Sequence, residues 1–190
     1  MSIGPLILLA LIVVGAVYAA LLYNGLVLLK HNVGKSLANI DVLLKQRHDE
    51  LPKLIETCKQ YMQFEQQTLE RVIAARTRVA SAQQARDIDA LGSAESELRG
   101  GLGRLFAVAE NYPELKTDTT FQRLQERVSS LENTIADRRE IYNEAVNNNN
   151  VRIEQFPDAI LARLFNFKAF TLLQIGADEK SDVDVAALFR

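Results

Sequence analysis

The sequence predicts an all-α protein in which an N-terminal transmembrane helix continues into a bundle of long antiparallel helices. Three observations predict it: an uncharged apolar run at the N-terminus, apolar residues recurring at steps of three and four through the rest of the chain, and no stretch alternating apolar with polar residues as a strand would. The 190 residues, 48% apolar and 24% charged, suffice for one membrane span and one medium-sized helical core, and leave no room for a second folded domain. The expected organisation is an anchor over 1–29, a bundle over 30–175 and a mobile acidic tail over 176–190. A net charge of only −2 supplies no basic surface for nucleic acid.

The anchor comes first. Met1 to Leu29 carries no charged side chain, more than the roughly 20 residues needed to cross a bilayer. A cleavable signal peptide is the rival, with Val17-Tyr18-Ala19 as its cleavage context. The basic n-region is missing and the apolar run is too long, so a retained anchor is expected. Lys30, His31, Lys35, Lys45 and Arg47 follow the span. The positive-inside rule therefore places the domain in the cytoplasm and the N-terminus outside, a single-pass arrangement in a bacterial inner membrane. Held near anionic lipid, each such lysine contributes about 1 kcal/mol.

The anchor's stripe continues through Val33, Leu37, Ile40 and Leu44, predicting one helix from Ile3 to His48, about 70 Å long at the standard rise; Asn24-Gly25 and Gly34 are its candidate bends. A second helix is expected from Glu50 to Ala85, with Asp49 as N-cap and Pro52 in its first turn. Its stripe of Leu51, Leu54, Cys58, Met62, Leu69, Val72 and Val79 has the steps of a coiled-coil seam. A third runs from Asp87 to Asn111 through Leu91, Leu98, Leu102 and Leu105, ending at Tyr112-Pro113. A fourth runs from Asp118 to Glu154 through Phe121, Leu124, Val128, Leu131, Ile135, Tyr142 and Val146, and these helices pack antiparallel. After Phe156-Pro157, residues 159–170 form a short amphipathic piece with an aromatic face. Phe165, Phe167 and Phe170 on that face either cap the bundle's open end or form a contact patch for membrane or subunits.

Blocks along the chain carry a resemblance. They are Tyr23-Asn24; Ile40-Asp41-Val42 with Leu44-Lys45, Arg47, Asp49 and Leu51-Pro52; Tyr61, Glu65, Leu69, Val72 and Ala75-Arg76; Glu110, Tyr112-Pro113 and Leu115; and Arg138-Arg139 with Tyr142-Asn143, Val146, Asn149 and Phe156-Pro157. With these the chain resembles the LemA family of bacterial membrane proteins over nearly its whole length. Leu37-Ala38 stand where family members often have an aromatic residue, and the Asn147–Asn150 run and the Phe-rich C-terminal piece are further departures. The resemblance implies an N-terminal anchor with the N-terminus outside and a cytoplasmic domain of long antiparallel helices. It implies no particular reaction. Relatives in magnetosome-forming bacteria are linked to building internal membranes, which adds membrane organisation as a functional class.

Chemistry-bearing constellations are sparse. The single cysteine, Cys58, lies on an apolar stripe and excludes a disulfide framework. His31 and His48 have no partner at metal-ligand spacing, so neither metal nor cofactor is expected. Gly100-Gly101-Leu102-Gly103 lacks the preceding strand and the Lys-Ser/Thr of a phosphate loop, and reads as close helix contact or a kink. On or beside the seams stand Glu65, Arg76, Glu132, Arg138, Asn143 and Asn149. Buried charges and amides need partners, so these are expected to pair between helices and fix register, or to line a polar groove. Two functions follow: a non-enzymatic membrane-anchored scaffold that self-associates or organises envelope proteins and membrane, and a membrane-tethered sensor or adaptor holding a small ligand or peptide in a polar interhelical groove. The expected partners are the lipid bilayer and either further copies of the chain or other membrane proteins.

Overall fold

The computed structural model describes residues 3–174, and the expected tail over 176–190 lies outside them. The regular structure is helical, with no strand among the described residues: α1 (Ile3–Tyr61), α2 (Gln66–Ala85), α3 (Ile88–Ala109), α4 (Pro113–Thr117), α5 (Thr119–Glu154) and α6 (Asp158–Leu164). Residues 167–174 follow α6 without helix or strand. The described residues form two compact units, one of residues 40–137 with 173–174 and the other of residues 3–39 with 138–172, so α1 and α5 each contribute to both.

In the first unit four helices pack antiparallel. Along α1 and α2, Asp41 meets Gln83 and His48 meets Arg76. Arg78 on α2 pairs with Glu97 on α3, while Gly101 lies against Val72. Tyr61 donates to Asp118 at 3.3 Å, fixing the end of α1 beside the start of α5. The core is the predicted stripes: Ile40, Leu44, Leu51, Leu54, Cys58 and Met62 from α1 and its end, Val72 and Val79 from α2, Leu98, Leu102 and Leu105 from α3, and Phe121, Val128 and Leu131 from α5. Each such large side chain taken from water contributes about 1.5–3 kcal/mol.

The helix boundaries follow local chemistry in three places. Asp87 accepts the Ala90 N–H at 2.9 Å and starts α3, and Asp118 does the same for Phe121 at 2.8 Å at the start of α5. Arg86, at φ 53°, closes α2 in the left-handed conformation while the Asp87 N–H reaches back to the Ala82 carbonyl. α4, unforeseen in the sequence, is the single turn that begins at Pro113.

The largest departure from the expected boundaries lies in α1. α1 does not stop at His48, and Asp49 is not an N-cap: the helix runs on through Pro52 to Tyr61, and the reversal comes at Met62–Glu65. Proline has no N–H for the carbonyl four residues back, which is that of His48. Arg76 on α2 supplies the missing donor, its Nε lying 3.0 Å from the His48 oxygen. A side chain from the next helix thus satisfies the carbonyl that Pro52 leaves open.

In the second unit, residues 3–21 of α1 carry exposed apolar side chains on nearly every face, and none of the helix's most apolar window is covered by protein. The first fully buried side chain is Leu26, short of the expected 29/30 boundary, followed by Val33. From α5 come Tyr142 and Val146, and from α6 Ala162. Arg152 binds Asp158 at 2.7 Å and ties the start of α6 to α5. The expected amphipathic helix over 159–170 is helical only to Leu164; Asn166, at φ 57°, ends it, and residues 167–174 form neither helix nor strand. That stretch is tied to α5: the Tyr142 hydroxyl donates to the Thr171 carbonyl at 2.9 Å, and Asn150 both donates to the Phe170 carbonyl and accepts its N–H, each at 2.9 Å.

Candidate functional site

Two sites carry unusual chemistry. The first, in the unit of residues 40–137, is a buried ion cluster. Arg47 of α1 is 2% exposed and Glu95 of α3 is 3% exposed, and the Arg47 Nη2 donates to the Glu95 carboxylate. Glu132 of α5 stands 3.8 Å from the Arg47 Nη1, near enough to pair and too far for a hydrogen bond. Arg47 Nε and Glu132 Oε1 are buried without a hydrogen-bond partner. Burial raises the Glu132 carboxyl above its ordinary range, against the opposing pull of Arg47 and Arg99. One guanidinium thus holds two carboxylates from two other helices, which fixes the register of α1, α3 and α5 and presents no nucleophile.

Arg47 and Glu95 are absent from the predicted seam residues, although the signal exists. Arg47 continues the steps Ile40, Leu44, Leu51, Leu54, and Glu95 falls in the run Leu91, Ala94, Leu98. Arg47 had been counted among the cations following the span, where a charge needs no partner.

The predicted seam residues separate. Glu132 joins the cluster. Arg76 bonds the His48 carbonyl and also meets the His48 Nε2 at 2.7 Å; burial first, and Arg76 second, hold that imidazole below its ordinary value. Glu65 lies in the α1–α2 turn and caps with its backbone, its carbonyl accepting from Thr68 and Leu69. Asn149, 1% exposed, donates to the Lys168 carbonyl at 3.3 Å. Asn143 is half-buried and Arg138 exposed. Cys58 is fully buried and its thiol is pushed up to about 12, so it is no nucleophile at neutral pH. Of the glycine run, Gly101 alone meets a neighbouring helix, with Gly100 and Gly103 facing open space. Among the described residues no group of three or more His, Cys, Asp or Glu side chains could hold a metal ion.

The second site, wholly in the other unit, is a cleft of about 500 Å³ lined by Tyr23, Val27, Lys30 and His31 of α1, Asn149 of α5, and Phe165 to Lys168 with Phe170. Tyr23 stacks edge-on against Phe165, with ring centroids 4.8 Å apart, and against Phe167 at 5.8 Å. Such T-shaped pairs favour close association beyond the apolar area they bury. The three predicted patch residues divide between these roles: Phe165 and Phe167 pack on Tyr23, while Phe170 is held through its backbone by Asn150. Lys30 and Lys168 give the aromatic cleft a cationic rim, with the His31 imidazole beside them.

An apolar N-terminal helix uncovered by protein, joined to antiparallel helices with an ion-paired core, defines a class: membrane-associated all-helical proteins. Within it, a sequence model of the LemA family matches residues 36–186, and the chain belongs to that family. The magnetosome proteins MamQ 1 and MamQ 2 of Paramagnetospirillum magneticum are each 37% identical over 79 residues, 42% of this chain and 29% of theirs. Magnetosome protein MamQ of Magnetospirillum gryphiswaldense is 33% identical over 79 residues, again 29% of its length. The chain thus spans under a third of these curated relatives. None of the matched names denotes an enzyme.

Proposed function

We propose that the protein is a non-enzymatic, membrane-anchored scaffold: α1 spans the bacterial inner membrane once, with the N-terminus outside, and the helical bundle on the cytoplasmic side self-associates or gathers envelope proteins. The observation carrying this reading is the bare apolar stretch of α1, whose side chains have no protein cover and whose backbone is already satisfied within the helix, the condition for crossing lipid. The ion cluster supports a structural bundle, because its charges are buried and face one another. Lys30, His31, Lys35 and Lys45 remain exposed after the span and support the cytoplasmic orientation; Arg47, being buried, no longer counts towards it. The similarity to magnetosome proteins extends the reading towards organisation of membranes.

Orientation and partnership are tested separately. Because the native Cys58 is fully buried, a single cysteine at Ser2→Cys or Arg138→Cys is the reactive thiol in each variant. In spheroplasts, a membrane-impermeant maleimide labels Ser2→Cys directly and Arg138→Cys only after lysis; the reverse pattern overturns the orientation. A photo-cross-linking residue at the exposed Phe64 or Ile73 is expected to trap a second copy or a discrete envelope protein. Trapping of no neighbour in cells contradicts the scaffold.

A further inference from the structure

Beyond the span itself, the structure carries a second membrane contact, which rests on the reading that α1 crosses the bilayer. Residues 3–23 of α1 cover about 31 Å at the standard rise, the thickness of a hydrocarbon core. Side chains are bare up to this point, and Leu26 is the first to be fully buried. The bilayer surface therefore falls at Tyr23. Phe165 and Phe167 pack on Tyr23, which sets the α6 segment at the same level.

The α6 segment then faces water with side chains that water does not favour. Phe156 is 83% exposed, Ile160 59% and Leu164 71%. Ile160 and Leu164, four apart in α6, lie along one side of that helix, and Phe156 stands in the turn just before it. Phe165, beside them, keeps 53% of its surface exposed while its ring touches Tyr23. Lys30, His31 and Lys168 border the adjoining cleft, and Arg163 on α6 is exposed. Aromatic rings at headgroup depth, aliphatic side chains beside them and cations around them are the chemistry of an interfacial helix on an anionic leaflet.

We infer that the segment from Phe156 to Lys168 lies in the bilayer interface, with Ile160, Leu164 and Phe165 entering the acyl boundary and Lys30 and Lys168 holding the phosphates of anionic phospholipids in the Tyr23–Phe167 cleft. The span fixes where the protein crosses, and this segment fixes the rotation of α1 about its own axis at the surface. The occupant is lipid because the face is continuous, through Tyr23, with the lipid-facing part of α1, and because the cleft's rim is cationic.

The chain has no tryptophan, so single tryptophans report depth in the full-length protein in nanodiscs containing phosphatidylglycerol. Leu164→Trp is expected to lose about half its emission to a nitroxide at the lipid headgroup or upper acyl chain. Tyr18→Trp, in the span, is quenched by a nitroxide deep in the chain. Arg138→Trp, about 16 Å further along α5 than Asn149, is quenched by neither. Introducing Lys168→Gln shifts the docked-to-free ratio of Leu164→Trp about fivefold towards free, and replacing phosphatidylglycerol by phosphatidylcholine, which removes the attraction for Lys30 and Arg163 as well, shifts it further. If Tyr18→Trp is quenched and Leu164→Trp is not, the inference falls while the span stands. If Leu164→Trp is shielded from aqueous iodide yet untouched by lipid nitroxide, a protein surface covers the face and the inference falls. If Tyr18→Trp itself escapes the deep nitroxide, the span reading fails, and this inference with it.

Discussion

The two units bury polarity in different currencies. In the unit of residues 40–137 the interior polar groups are ions, Arg47 with Glu95 and Glu132, each from a different helix. In the unit containing residues 138–172 the Asn149 and Asn150 amides and the Tyr142 phenol bond the backbone of residues 168–171, Asn149 also donating to Asn150, while the buried carboxylate of Asp158 pairs with the partly exposed Arg152. Ions choose partners by charge and fix helix register. Amides can serve both the N–H and the carbonyl of a backbone segment that belongs to neither helix nor sheet. The difference teaches that the first unit is specified by helix-to-helix contacts, whereas the second is a clamp that holds a non-helical segment against α5.

The sharpest test of the contrast is Arg47→Met. It removes the guanidinium that pairs with the buried Glu95 and leaves Glu132 facing Arg99 alone, and is expected to cost about 3–5 kcal/mol in urea unfolding followed by far-UV circular dichroism. Glu132→Gln, removing a carboxylate that burial already disfavours, leaves stability at pH 7 unchanged or raised; a loss comparable to that of Arg47→Met would show that the cluster depends on both carboxylates.

Gly92→Ala comes next. An added Cβ would lie 2.0 Å from the Gln174 carbonyl oxygen, so the backbone near residue 174 must move, at about 1–3 kcal/mol by thermal unfolding. On the clamp, Asn150→Ala removes two hydrogen bonds to Phe170 and is expected to cost about 1–3 kcal/mol. Hydrogen exchange should then show faster exchange of the Phe170 amide, with α2 and α3 unchanged. Faster exchange throughout would mean that the units do not differ as described.

A smaller effect is pH-dependent. Burial and Arg76 lower the His48 pKa, with Lys45 adding and Asp49 opposing. The unfolded chain therefore binds the proton more readily than the folded one. This contribution to stability is present above the ordinary value of 6.5 and is lost as pH falls through it towards the folded value. His48→Gln should flatten the stability profile in that window; an unchanged slope would remove His48 from the account. The smallest effect is Arg86→Gly, which relieves a left-handed residue at the end of α2 and should add about 0.5–1 kcal/mol.

Much of this was legible in the sequence because it is periodic. Leu51, Leu54, Cys58 and Met62 are buried as their spacing required, and Asp87 and Asp118 cap the helices that follow them. The Pro52 error shows where local rules stop: the helix survives because Arg76, distant in sequence, supplies the donor that proline lacks. The reversal at Met62–Glu65 has no glycine or proline to announce it. Arg47 and Glu95 sit at apolar-stripe positions, so their burial is legible from spacing, but which charge each one meets is not, because the partners lie on other helices. Phe167 and Phe170 fit helical spacing, so the sequence disguises the irregular segment after Asn166, while the amides that hold it lie in the Asn147–Asn150 run.

The central claim is that an anchored chain builds an assembly at the membrane. The mass of the full-length protein in native nanodiscs tests it most directly. The account predicts discrete higher oligomers that persist as protein is diluted with lipid. A single chain per disc at every loading would contradict the scaffold and favour an adaptor that binds a ligand instead.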